Sequence, residues 1–347
     1  MACMLLADLG ASVLRIDRPE VADLGVQRPV RFNPLLRNRK LVHANLKNPA
    51  AVEEVLALAE HADVLVEGYR PGVAERLGLG PDACHARNPR LVYGRMTGWG
   101  QGARPARAGG HDINSLPLAG FRQAWGGGGR APAVPLAVAG DMGGGALYLA
   151  MGILAALLER TRSGKGQVVD AAIVDGAASL AALFYGLHGA GQWQNQRGSN
   201  VLDSGAPFYD VYECQDGQWI SIGPIEARFY RQLLDKLDLD AVALGAQNDR
   251  ATWPAAKAQI AQRFRTRTRE QWCTLLEGSD VCFSPVLSFA EAPQHPHMKA
   301  RKTFIEVDGV VQPAPAPRFS RSVTGQPTPP LAHPDTDFAT ILKSWSA

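Results

Sequence analysis

The chain has 347 residues and a mass of 37.2 kDa, with 46% hydrophobic and 20% charged residues. It is too apolar for a disordered chain and long enough for about two domains of roughly 150 residues each. A net charge of only +3, with no basic tail, gives nucleic-acid binding no electrostatic support. Five separated cysteines (Cys3, Cys84, Cys214, Cys273, Cys282), with no CxxC pair, fit neither a disulfide framework nor a zinc site, and point to a reducing cytoplasm.

The opening MACMLLADLG has the pattern of an amphipathic helix closed by Gly10, without the basic stretch and cleavage site of a signal peptide. A strand is expected over residues 12–17 and another over 40–46. Asn48-Pro49 then starts a helix with an apolar stripe at helical spacing. Residues 63–68 form a short buried-type strand, stopped by Arg70-Pro71-Gly72, and residues 90–96 a fourth. Strands separated by helices predict parallel βαβ units, whose ligands gather at the carboxyl ends of the strands.

From Thr97 to Gly140 the chain is loop-like, apart from a short helix expected over 112–121. A long helix over about 142–162 follows, then a Ser163–Gly166 turn and the strand-like QVVDAAIV. The longest apolar stretch, 146–158, is shorter than the ~20 residues a bilayer needs, so no membrane partner is expected. Two strand-like segments flanking Gln215-Asp216-Gly217 predict a hairpin, and helices are expected around 226–237, 253–264 and 269–276. The tail over 312–334 is proline-rich and extended. The expected organisation is α/β: a large domain over 1–175 with a parallel sheet, a linker over 176–204, a smaller α+β domain over 205–300, and a return segment over 301–347.

SGKGQ lacks the spacing and final hydroxyl of a phosphate loop and is better explained as a helix C-cap. Gly126–Gly129 has no dinucleotide-loop spacing. In AGGHDINS, His111 beside Asp112 suits a general base in a tight turn, although Asp112 could equally cap the next helix. In GDMGGG, Asp141 opens an apolar helix, either as a capping carboxylate or as a base beside oxyanion-binding amides that the glycines leave accessible. Glu226 starts a helix, where a glutamate either serves the helix dipole or orients another catalytic group. Basic residues at strand ends and loops (Arg15, Arg18, Arg37, Arg39, Lys40, Lys47, Arg70, Arg76) would suit a phosphorylated ligand.

Seven motifs stand in one order along the chain: RIDRP, EGYRPGVAERLGLGP, RMTGWGQ, GHDIN, GDMGGG, GKGQVVDAA and GPIEARFY. With them the chain resembles the family III CoA-transferase (CaiB/BaiF) superfamily, and within it the α-methylacyl-CoA racemases. The resemblance implies an interlocked homodimer with a Rossmann-like large domain and a small domain. It implies a site between the large domain of one subunit and the small domain of the other. The implied reaction is 1,1-proton transfer through an enolate on a 2-methylacyl-CoA thioester, with His111 and Asp141 as opposed bases and Glu226 bonded to the histidine. Arg18, Ala44, Asn45, Leu46, Lys47, Gly110, Asp112, Ile113, Asn114 and Ser115 match CoA- and substrate-contacting positions, and Arg37, Arg70 and Arg76 do so more weakly. No metal or redox cofactor is implied, since CoA belongs to the substrate, and the helix-start amide of Asp141 is the expected oxyanion donor.

Two departures carry expectations. The family has a first strand and a Gly/Pro-rich loop upstream, whereas this chain begins inside the following helix. Ser115 stands where racemases carry tyrosine, which would remove a ring from the substrate pocket. Two other functions compete: a CoA-transferase of the same fold with Asp141 as nucleophile, and a non-catalytic CoA-binding subunit.

Overall fold

The computed structural model describes every residue except 21–26, 103–105, 107, 130 and 347. In chain order the first stretch contains α1 (Ala2–Asp8), β1 (Val13–Asp17), β2 (Arg39–His43), α2 (Pro49–Ala59), β3 (Val64–Glu67), α3 (Val73–Arg76), α4 (Pro81–Arg87), β4 (Val92–Thr97) and α5 (Asp112–Leu118). A π-helix (Val138–Leu147) runs into α6 (Tyr148–Ser163), followed by β5 (Val168–Ala172), α7 (Ile173–Leu180) and α8 (Ala182–Gly189). Then come β6 (Asp210–Glu213), β7 (Trp219–Ile222), α9 (Ala227–Leu237), α10 (Ala241–Leu244), α11 (Trp253–Phe264), α12 (Arg269–Leu276) and β8 (Phe283–Pro285). The chain ends with α13 (Pro296–Ala300), β9 (Phe304–Val307), β10 (Val310–Pro313) and α14 (Phe338–Trp345). It divides into two compact units, one of Met1–Ala119, Pro135–Leu180 and His297–Ala347, the other of Gly120–Val134 and Ala181–Pro296.

In the first unit the strands are parallel, as strand–helix alternation requires, but they form two groups. β1 pairs with β2, and β4 lies between β3 and β5. No ladder joins the two groups among the described residues. Both faces of the larger group are covered, because side chains alternate along a strand. Val64, Val66 and Val92 pack toward Leu149, Ala150 and Ile153 of α6, while Leu65 and Tyr93 pack toward Leu56, Ala59 and Cys84. Gly94 lets α6 settle on β4, since a Cβ there would lie 3.1 Å from both Ile153 and Leu149.

The helix expected from 142 starts earlier and is not α-helical at first. Leu136 and Ala137 sit at φ 43° and 58°, and the π-helical turns begin at Val138. Three glycines in a row weaken an α-helix. Here they permit a close crossing: a Cβ at Gly144 would lie 2.7 Å from the Ala177 nitrogen in α7. Gly164, left-handed at φ 74°, ends α6 as expected of SGKGQ. β5 is shorter than its apolar run suggested, because α7 already begins at Ile173. The continuous helix Val138–Ser163, mean hydropathy 1.6, is long and apolar enough by composition to cross a membrane, unlike the shorter stretch considered above. One face of it is core: Leu149, Ala150, Ile153 and Ala156 are buried.

The return segment knits the unit together. The Leu41 N–H donates to Asp335 Oδ1 at 2.8 Å, the Thr328 N–H to Asn38 Oδ1 at 2.7 Å, and Arg15 to the Leu331 carbonyl at 3.1 Å. α14 packs on α2.

The second unit holds an antiparallel sheet ordered β6-β7-β8, with the predicted hairpin turning at Gly217, φ 73°. Its helices α9, α11 and α12 close over one continuous core that includes Phe208, Tyr212, Leu233, Phe264 and Trp272.

Candidate active site

A cavity of about 840 Å³ opens in the first unit at the carboxyl ends of β3 and β4. Glu67 and Tyr69 line it from the end of β3, Met96 and Trp99 from the end of β4. Ligands of parallel sheets collect at such strand ends. The turn after β4 is held by the Gly100 N–H on Thr97 Oγ1 at 2.9 Å and by the Val174 N–H on the Gly98 carbonyl at 3.2 Å. That turn sets the Trp99 ring against Gly110, where a Cβ would lie only 2.7 Å from the indole. Glycine is therefore required immediately before His111.

His111 is the N-cap of α5, and its exposed side chain lines the cavity. Asn114 Oδ1 accepts the His111 N–H at 3.1 Å, and the His111 carbonyl accepts the Asn114 N–H at 2.8 Å. Asp112 is therefore not the cap. Its buried carboxylate leaves the helix and accepts two amide protons on Oδ1, from Gly140 at 2.8 Å and Asp141 at 2.9 Å. Asp141 lies in the first turn of the π-helix and lines the same cavity as His111. Burial first, and the Asp112 carboxylate second, push the Asp141 carboxyl above the usual range, with His111 opposing. An imidazole and a carboxyl of raised proton affinity on one cavity supply two groups able to exchange protons with a bound ligand.

The cavity wall has its own ion-pair network. Buried Glu67 accepts the Tyr69 N–H at 2.6 Å and Arg95 Nε at 3.0 Å, and Arg95 also reaches Glu75 at 3.0 Å. Burial pushes the Glu67 carboxyl up, opposed by the Tyr69 amide and by Arg95. Glu67, Tyr69, Met96, Trp99 and Met142 were absent from the residues expected at the site. The first four lie at strand ends inside EGYRPG and RMTGWGQ, which was the available signal.

Of the expected residues, the structure gathers His111, Asp141, Gly110, Asn114 and Arg70 around this cavity. Arg18 and Arg76 are exposed, and neither lines it. Ala44, Asn45, Leu46 and Lys47 form the turn from β2 into α2, outside the lining, with Asn45 Oδ1 accepting the Lys47 N–H at 3.0 Å. Ile113 is exposed on α5, also outside it. Glu226 is exposed in the second unit, where its carbonyl accepts the Phe229 and Tyr230 amides at the start of α9.

Four expectations are corrected. Arg37 is 2% exposed, and its guanidinium is committed to Asp8 (2.5 and 3.0 Å), Gln312 (2.8 Å) and the Pro313 carbonyl (2.7 Å). A phosphate would have to break that buried network, so Arg37 holds the fold rather than a ligand. Asp112 is buried and holds backbone. Ser115 is fully buried outside the lining, its Oγ without a hydrogen bond, so it does not offer itself to substrate. The Asp141 amide is already occupied by Asp112 and is not a vacant oxyanion donor.

Comparison with known proteins agrees with this architecture. The profile of CoA-transferase family III matches residues 1–338. The chain is 41% identical over 321 residues to the mouse protein named alpha-methylacyl-CoA racemase, covering 92% of this chain and 82% of that one. It is 40% identical over 319 residues to the human protein of the same name, covering 90% and 81%. A crystal structure of a CaiB/BaiF family protein from Brucella suis superposes with a TM-score of 0.83 at 23% identity, covering 99% of this chain and 94% of that one. With the profile spanning nearly the whole chain and relatives near 40% identity over nine-tenths of it, this protein belongs to CoA-transferase family III.

Proposed function

We propose that this chain is an isomerase that interconverts the (R) and (S) forms of 2-methylacyl-CoA thioesters by exchanging the proton on the α-carbon. The observation that carries the reading is the presence of His111 and Asp141 on one cavity, with burial raising the proton affinity of the Asp141 carboxyl. The similarity to racemases of mouse and human supports it.

Exchange at one carbon needs a base on one face and an acid on the other, with the roles reversed for the other hand. One group takes the α-proton, the C–H electron pair moves into the thioester carbonyl, and the opposite group returns a proton to the planar enolate. An imidazole near neutral pH serves in either sense, and a carboxyl with raised proton affinity is a competent donor. The enolate oxygen needs a hydrogen-bond donor, worth roughly 3–4 kcal/mol. With the Asp141 amide taken, the proposed donor is the first-turn N–H of Asp112. This chemistry calls for no metal or redox cofactor, and CoA enters with the substrate. Arg18, Arg70, Arg76 and the Ala44–Lys47 turn are the proposed CoA contacts.

The nucleophilic route would instead have the ionised Asp141 carboxylate attack the thioester. The two chemistries separate in one measurement. In D₂O, racemisation places deuterium at the α-carbon of 2-methylacyl-CoA without acyl exchange. An acyl-enzyme trapped by hydroxylamine, with no deuterium uptake, would establish the transferase instead.

A homodimer belongs to this reading, with Glu226 of the second copy reaching His111. On the face of the long helix away from the sheet, Leu147, Met151, Leu154 and Leu158 are 47–63% exposed at 4-3-4 spacing. An apolar stripe of that kind suits a partner helix, and light scattering gives the mass that decides it. The five unpaired thiols support a cytoplasmic setting.

A further inference from the structure

Asp112 does not cap its own helix; its carboxylate instead reaches first-turn amides of the π-helix that carries Asp141. It directly follows His111, yet its carboxylate points back into the protein and is 5% exposed. Oδ1 takes the amide protons of Gly140 and Asp141, while Oδ2 is buried with no partner at all. A buried carboxylate with an orphan oxygen is a poor way to stabilise a fold. The approach is nonetheless built for: a Cβ at Gly140 would overlap the Asp112 carboxylate, so only glycine admits it. On the other side, α5 is seated by fully buried Leu116.

We propose that Asp112 is a positioning residue that joins the two proton-transfer groups, its carboxylate tying the His111 turn to the Asp141 turn and holding a negative charge against the Asp141 carboxyl. The inference rests on the racemase reading for its catalytic consequence, but not for its physical one. Two ionisable groups act on Asp141, Asp112 from α5 and His111 from its cap. Removing the Asp112 charge leaves His111 alone, so Asp141 must release its proton at lower pH. Removing the acceptor frees the Gly140–Asp141 turn, and a displacement of 1 Å at a reacting group costs about 100-fold in rate.

The test uses the full-length chain with aspartate ¹³C-labelled at the carboxyl, the Asp141 signal being assigned by its loss in Asp141→Asn. In Asp112→Asn, which keeps an acceptor oxygen, the Asp141 titration midpoint is expected to fall by about one pH unit. The acid limb of α-deuterium exchange should fall with it. In Asp112→Ala and Gly140→Ala, kcat should fall about 100-fold with KM nearly unchanged. An unmoved Asp141 midpoint in Asp112→Asn overturns the proposal, as does wild-type kcat in Asp112→Ala. Should Asp112→Ala fail to fold, the Asn variant alone decides. If the wild-type protein exchanges no α-deuterium, the racemase reading fails and the carboxyl titration still judges Asp112.

Discussion

The two units treat their buried polar atoms differently. In the second unit the aromatic core satisfies them: Trp272 Nε1 donates to the Phe264 carbonyl at 2.8 Å, Trp253 Nε1 to Gln247 at 2.8 Å, and the Tyr212 hydroxyl to Pro207 at 2.6 Å. In the first unit the Trp99 indole N–H is buried without a partner. Among the described residues, every buried side-chain nitrogen or oxygen lacking a hydrogen bond lies in the first unit. Four of them, on Trp99, Gln101, Asp112 and Ser115, fall in the stretch that carries His111. Unsatisfied buried groups cost stability. The contrast teaches that one unit is optimised as a core, while the other gives up stability where it assembles the candidate site.

Substitutions can break or sharpen this contrast. The largest effect is expected from His111→Ala and Asp141→Ala, which should lower α-deuterium exchange about 10²–10⁴-fold with CoA affinity nearly intact. Wild-type exchange in both would remove the site assignment. Next come two core changes that should cost stability and leave the Asp141 titration in place. Trp272→Ala empties the second unit's core for about 3–5 kcal/mol. Arg37→Met strands Asp8 without its cation for a similar about 3–5 kcal/mol, read by chemical denaturation. A loss below about 1 kcal/mol for Arg37→Met would mean that its buried network is not structural.

A smaller effect, of opposite sign, is expected from Asp141→Asn. The fold raises this carboxyl's pKa, so its ionised form is disfavoured in the native state and the wild type is penalised at neutral pH. The Asn variant should melt at a higher temperature at neutral pH. That advantage should fade as the pH is lowered through the raised native pKa, where the wild type protonates. An advantage constant in pH would show that the charge is not the cause. Smallest of all is Ser115→Ala, which removes an orphan hydroxyl from a fully buried site and should change stability by less than about 0.5 kcal/mol, or raise it. A changed KM there would return Ser115 to the substrate pocket.

Much of the secondary structure was legible before any coordinates, because its causes are local. Asn48 caps α2 by accepting the Ala50 N–H at 3.1 Å, two residues on, and Gly217 turns the hairpin it interrupts. Alternating strands and helices likewise announced parallel pairing. The residue types of the site, an imidazole and a carboxylate in glycine-rich turns, were visible in their motifs. Their supports were not. The Asp112 carboxylate meets amides 28 and 29 residues away, and Arg37 meets Gln312 across 275 residues. Gly144 in the π-helix lies against α7 so closely that a Cβ there would meet the Ala177 nitrogen at 2.7 Å. Periodicity and capping act within a turn or two and survive in the order of the letters. Which charge is buried, which amide is already taken and which glycine must admit a neighbour depend on desolvation and contact between distant segments, and those exist only once the chain has folded.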